Sequence, residues 1–293
     1  MEAKHIDIIQ RFGDPRFTCS KHFRPNRNQG SMGDDGYGEL KLDLLGSWRL
    51  RRGAVVLHVA TRQQRLIAAL AIRGPSLRSY LVGQLWPEYP DARALESLRV
   101  TVHLISRQVP DLMVNAGAML SLTDHVEVDL HRIRARIRAL GQAGFDDDVA
   151  SSLHELRDAE VLPGWYEDWV IFEQSRLRQD RLRAFTAISR LSLARGNSEV
   201  AGAAAEAALE LEPLYEKAVG LLIAAEMRQG NPAAALSAYE RYRGKLEEDM
   251  GLLPSDSVKS LLAGALDRQA RAREERLPAS FSWLTGEPAL HHS

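Results

Sequence analysis

The stretch ARALESLRVTVHLISRQVPDL, residues 92–112, decides how this chain is read. It has the spacing of one helix, with Asp91 as the expected N-cap and Pro110 as the stop. At about 100° per residue, Leu95, Leu98, Val102, Ile105 and Val109 fall on one side. Arg93, Glu96, Val100, His103 and Arg107 fall opposite, with Leu104 and Arg99 at the margins. One side is a core face. The other carries arginine and histidine against a single acid. Val100, Leu104 and the methyl of Thr101, which lies nearer the core, are groups of the type that touch thymine methyls.

The flanking segments give this helix its place. Residues 40–59, LKLDLLGSWRLRRGAVVLHV, alternate apolar and polar side chains between Gly46 and Gly53, as short antiparallel strands do. TRQQRLIAALAIRG reads as a helix capped by Thr61 and stopped at Gly74, and SLRSYLVGQLWP as a second, capped by Ser76 and closed before Pro87. After the opening stretch comes LMVNAGAMLSLTDHVEVDL. It predicts a hairpin turning at Asn115-Ala116-Gly117 and a further strand through Val126 and Val128. Strands, three helices and a hairpin describe a winged helix-turn-helix. In that class a late helix enters the major groove while basic groups around it hold phosphates.

Charge is distributed to match. Residues 1–140 hold 21 Lys/Arg and 14 Asp/Glu, a balance of +7, and residues 141–293 hold 17 and 25, a balance of −8. Within 41–109 the balance is 11 to 4, so the basic excess sits in the winged module and points to an anionic partner. The longest apolar runs, LIAALAI and VGLLIAA, are far below the ~18 residues of a membrane span. With no apolar signal region at the N-terminus, the expected location is cytoplasmic and nucleoid-associated when bound to DNA. The lone cysteine, Cys19, makes neither a disulfide framework nor a zinc cluster. No phosphate loop, nucleophile motif or metal-ligand spacing is present. The expectation is a non-enzyme without cofactor or metal; Asp34-Asp35 and His291-His292 read as loop and tail.

Residues 1–39 have no periodicity and are expected to be disordered, and LHRIRARIRAL at 130–140 reads as a connector helix with solvated arginines. GQAGFDDDVA at 141–150 reads as a linker. Beyond it a repeat emerges: RGN at 195–197 returns as QGN at 229–231, a period of 34 residues. That is the tetratricopeptide period. Ala201, Ala205 and Ala208 then match Ala235, Tyr239 and Tyr242 on second helices, and Phe185 matches Val219 on first helices. About three stacked helical hairpins are expected. The fold class is mainly α with small β: an extension (1–39), a winged-helix domain (40–130), a connector and linker (131–149), a tetratricopeptide-like domain (150–266) and a tail (267–293).

TRQQRLIAALAIRG, LVGQLWP, the LR of the third helix, VDL after the hairpin, LPGWYEDWV, and the GN with LEEDMGLLPS together resemble the SARP family of bacterial activators over roughly 40–265. The resemblance implies a winged-helix DNA-binding domain joined to a bacterial transcriptional activation domain. It implies a transcriptional activator that binds tandem direct repeats of double-stranded DNA near promoters, as a dimer or as side-by-side protomers, and recruits RNA polymerase. It implies that Arg99, Thr101 and His103 read bases, and that Arg93 and Arg107 reach bases or phosphates. Arg62, Arg65 and Arg78 would hold the backbone and Asn115 would mark the wing tip; Arg65 also matches a first-helix arginine that is structural, and both roles stand open. Leu104 and Ser106 occupy positions where the family often has arginines, which implies a smaller phosphate footprint. The alternative reading is a tetratricopeptide-like protein-interaction scaffold with a degenerate winged helix that no longer binds DNA.

Overall fold

The computed structural model describes residues 38–140 and 149–276. The expected disorder of the N-terminal extension, the acidic run Asp146–Asp148, Asp34-Asp35, Cys19 and the terminal histidines lie outside the described residues.

Three strands open the fold: β1 (Leu40–Asp43), β2 (Arg49–Arg52) and β3 (Val55–Val56). α1 (Thr61–Arg73), β4 (Ser76–Leu77), α2 (Arg78–Leu85) and α3 (Asp91–Gln108) follow, then the hairpin β5 (Met113–Ala116) and β6 (Met119–Leu122), and β7 (Glu127–Val128). One sheet runs β3-β2-β1-β7, with β7 parallel to β1; the other runs β4-β6-β5. Leu42, Leu50, Leu66, Leu70, Leu98 and Ile105 close the core between them, all at or near zero exposure. This is a winged helix-turn-helix. The helix starts shift from their expected caps. Ala60 caps α1, its amide donating to the Gln63 side chain at 2.6 Å. Ser76 lies in β4 and donates to the Gly74 carbonyl, and Pro90, extended at ψ 144°, precedes Asp91. The hairpin turns one residue later than expected, at Gly117-Ala118, because Ala116 pairs with Met119 and Gly117 takes a positive φ of 62°.

α4 (Asp129–Leu140) leads to α5 (Val149–Arg157), α6 (Asp168–Ala194), α7 (Ser198–Leu211), α8 (Glu216–Arg228), α9 (Pro232–Met250) and α10 (Asp256–Arg276). The 34-residue repeat is written in hydrogen bonds. Asn197 N donates to Ser192 O and Asn231 N to Glu226 O, both at 2.9 Å, while Gly196 and Gly230 sit at φ 80° and 79°. Ala201, Ala205, Ala208 and Ala235 are fully buried, as are Phe185 and Val219 to within 1%. Among the described residues two hairpins form, α6/α7 and α8/α9. α10 packs on both helices of the second, and among the described residues no second helix follows it. Toward the N-terminus, α6 runs unbroken for 27 residues where the sequence had room for a further hairpin.

Two of the four connector arginines are solvated as expected, Arg132 and Arg138; Arg134 and Arg136 are not. Arg134 pairs with the 9% exposed Glu173 of α6 and donates to Ile72 O, and Arg136 reaches Ser152 and Glu155 of α5. α4 lies against α5 and α6, so Arg134 and Arg136 face other elements while Arg132 and Arg138 stay at the surface. Asp129 at the start of α4 and the stretch Glu160–Leu162 after α5 seal the same junction. The Asp129 carboxylate accepts the amides of Leu44, Leu45 and Leu130, and burial pushes it up from the usual carboxylate range against those three bonds. Leu162 N donates to Leu44 O, and Gly46 N to Glu160 O. A single cluster of buried side chains runs from Leu40 through Leu98 to Ala218.

Candidate nucleic-acid interface

On α3, Ala94, Leu98, Thr101, Val102 and Ile105 are buried. Arg93, Glu96, Arg99, Val100, His103, Leu104 and Arg107 are exposed along the opposite face. The helical period separates the two sets, and packing of α3 on α1 and α2 selects which set faces outward. The Gln63 amide at the foot of α1 donates to the Gln108 side chain at 2.7 Å, fixing the far end of α3 against α1.

The structure sorts the named residues. Arg93, Arg99, His103 and Arg107 come together on one exposed strip. Arg99 makes an open ion pair with Glu96 at 3.3 Å, both well over half exposed. Such a pair is worth under about 1 kcal/mol and yields to a stronger anion. The Arg93 guanidinium lies 4.5 Å above the Tyr89 ring, which holds it near the start of the helix. His103 and Arg107 have no ion-pair partner among the described residues. Val100 and Leu104 add an apolar ridge, 49% and 42% exposed.

Thr101 is a correction. It is 4% exposed, and its hydroxyl donates to the Ser97 carbonyl at 2.7 Å. Two positions beyond Arg99 it has turned some 200° away from it, on the side that packs. Arg65 resolves toward structure: its Nε meets the Glu167 carboxylate at 2.9 Å, tying α1 to the loop before α6. Arg62, one turn earlier on α1, is exposed. Arg78 and Asn115 are brought to each other rather than to the α3 strip. The Arg78 Nη2 donates to the Asn115 side chain and its Nε to the Gly117 carbonyl, both at 2.9 Å. Asn115 therefore lies on β5, one step below the tip. Tyr89 and Gln108 escaped the sequence reading. The four-residue spacing of Tyr89 and Arg93 was the available signal for the first; nothing local marks the second, whose partner lies 45 residues away.

A winged helix-turn-helix presenting a basic helix face, sealed to an array of helical hairpins, is the architecture that the resemblance to transcriptional regulators with an appended activation domain led one to expect. Residues 128–266 match the family described as the bacterial transcriptional activator domain. The chain is 27% identical over 280 residues to the regulatory protein AfsR of Streptomyces coelicolor, covering 86% of this chain and 28% of that one. It is 24% identical over 259 residues to the transcriptional regulatory protein MoaR1 of Mycobacterium tuberculosis, covering 82% of this chain and 83% of the relative. Among solved structures, Mycobacterium tuberculosis EmbR, in complex with a low-affinity phosphopeptide, superposes with a TM-score of 0.62 at 22% identity. That match spans 78% of this chain and 65% of EmbR, and at this identity it is a likeness of fold. Over residues 128–266 the chain matches the bacterial transcriptional activator domain, and over most of its length it is similar to transcriptional regulators of the SARP type. Among the described residues no helix is long and apolar enough to cross a membrane.

Proposed function

We propose that the chain is a sequence-specific DNA-binding activator that engages direct repeats beside a promoter and recruits RNA polymerase. The observation that carries this reading is the exposed strip of α3: three arginines and a histidine on one helical face, with Glu96 the one acid among them. A helix of this kind in a major groove places Arg99 and His103 toward base edges, with Arg93 and Arg107 toward bases or flanking phosphates. Arg62 at the start of α1 adds a backbone contact. Val100 and Leu104 meet thymine methyls. The division of labour follows the two modules, with residues 40–130 binding DNA, 131–149 connecting, and 150–266 offering the surface for polymerase or a second protomer. Protomers sit side by side on tandem sites. The protein acts without a cofactor and is not an enzyme.

Footprinting on the DNA upstream of neighbouring genes tests this. The expected pattern is two protected direct repeats, with occupancy falling as salt rises. With few arginines on α3, the log–log salt slope should stay below that of an eight-phosphate contact, at about 0.9 per phosphate. A flat slope and no protected site would favour the alternative, in which the exposed Val100 and Leu104 mark a winged helix turned to protein contacts.

A further inference from the structure

The wing differs from the α3 strip in having no charge of its own. Residues 113–122, MVNAGAMLSL, carry no ionisable side chain. Cross-strand register puts Leu77, Ala116 and Met119 together, and strand alternation adds Val114. Leu77, Val114 and Met119 are 51%, 44% and 40% exposed, so this face of the small sheet is apolar and open. The opposite face carries Ser76 and Leu120, both buried, and at its outer end Asn115.

One residue holds this hairpin by its tip. Arg78, the first residue of α2, makes three bonds to the turn: its backbone amide to Ala118 O, its Nε to Gly117 O and its Nη2 to the Asn115 carboxamide oxygen, each at 2.9 Å. A four-residue hairpin is marginal by itself, and β4 lends it only the pairs Ser76–Leu120 and Leu77–Met119. The guanidinium closes the remaining gap at the end farthest from the core. α2 in turn packs on α3. The angle between the wing and the reading helix therefore passes through Arg78.

We infer that Arg78 is a positioning residue, which sets the angle of an uncharged wing against α3 without itself neutralising a phosphate. The inference rests on the DNA-binding reading above for its consequence, though not for its geometry. The wing then contributes by shape and apolar contact, and its share of binding is independent of salt. Lysine cannot replace Arg78, because its ammonium lacks the planar fork that serves Gly117 and Asn115 together.

Hydrogen exchange of the free protein and footprinting of the complex test this on the same variants. In Arg78→Ala and Arg78→Lys, amide exchange across 113–122 should rise about tenfold, as expected from two lost hydrogen bonds, while exchange in α3 stays unchanged. On DNA, both variants should lose protection on the wing side of each half-site and keep the salt slope of the parent. Asn115→Ala, which removes one bond of three, should give the same pattern more weakly. Unchanged exchange across 113–122 overturns the clamp. A salt slope lowered by about 0.9 together with rescue by lysine overturns it as well, because that is the signature of a direct phosphate contact. If no DNA site is found at all, the exchange arm still decides the clamp, so failure of the DNA reading and failure of this inference are told apart.

Discussion

From residue 41 to 109 the cations outnumber the acids 11 to 4, whereas from 141 onward the acids lead 25 to 17. The two regions also spend their charges differently. In the hairpin array four surface cations find acids on their own helix: Arg183 with Asp180, Arg243 with Glu240, Lys245 with Asp249 and Lys259 with Asp256. Each is an exposed pair at helical spacing, worth a few tenths of a kcal/mol, and its far field cancels. On α3 three arginines and a histidine share one acid, so their potential reaches outward. A third group of cations belongs to neither surface. Arg65, Arg134 and Arg136 join the two halves through Glu167, Glu173 and Glu155. A charge count treats all three groups alike. Only their partners distinguish an open cationic face from a solvated pair or a seam.

The comparison can be broken at several depths. Leu98 is fully buried on the inner face of α3, within the cluster that continues to Ala218. Leu98→Ala should cost roughly 4 kcal/mol and lower the unfolding midpoint of both halves together. Urea unfolding followed by far-UV circular dichroism and by the tryptophans checks this, and two separate transitions would show that the halves do not share a core. Next in size is the seam. Glu173→Ala strands the Arg134 guanidinium and should cost about 3 kcal/mol, at the low end for a buried pair because some solvent reaches Arg134. Converting both residues to methionine should return most of that loss, as read by the same melts.

The exposed face of α3 should respond in affinity rather than in stability. Arg99→Ala should weaken operator binding by about 1–3 kcal/mol and relax base preference at one position, with the melting temperature held. Arg183→Ala on the array should leave affinity untouched. Equal losses in the two would dissolve the distinction between the surfaces. A smaller effect is expected at the repeat turns. Gly230→Ala puts a β-carbon on a residue at φ 79° and should cost about 1–2 kcal/mol in thermal melts, with Gly196→Ala matching it.

The smallest effect concerns alkaline pH. Burial, reinforced by the bond from its hydroxyl to Glu216 at 2.8 Å, pushes Tyr242 up to about 12. A raised tyrosine favours the folded state while it stays protonated. Its contribution is full below the ordinary value near 10 and is lost as pH rises through about 12. Absorbance at 295 nm should show one late-titrating tyrosine, absent in Tyr242→Phe; a spectrum complete by pH 11 would contradict the packing of α9 on α8.

Period, punctuation and repeat were legible in the chain alone. The inner and outer faces of α3, the order of strands, helices and hairpin, and the 34-residue recurrence all follow from local spacing, because a helix or a hairpin decides by itself which side chains share a side. The candidate residues Arg93, Arg99, His103 and Arg107 were readable for the same reason. Thr101 was misjudged because it sits at the border of the two faces, where neighbouring elements settle burial. The tertiary structure alone decided the fate of the remaining arginines. Arg65, Arg78 and Arg134 look like Arg62 or Arg107 in the sequence, yet their partners stand 102, 37 and 39 residues away. A guanidinium is exposed, paired or clamped according to which acids and carbonyls the fold brings within hydrogen-bond reach, and helical spacing carries no information about contacts at that separation.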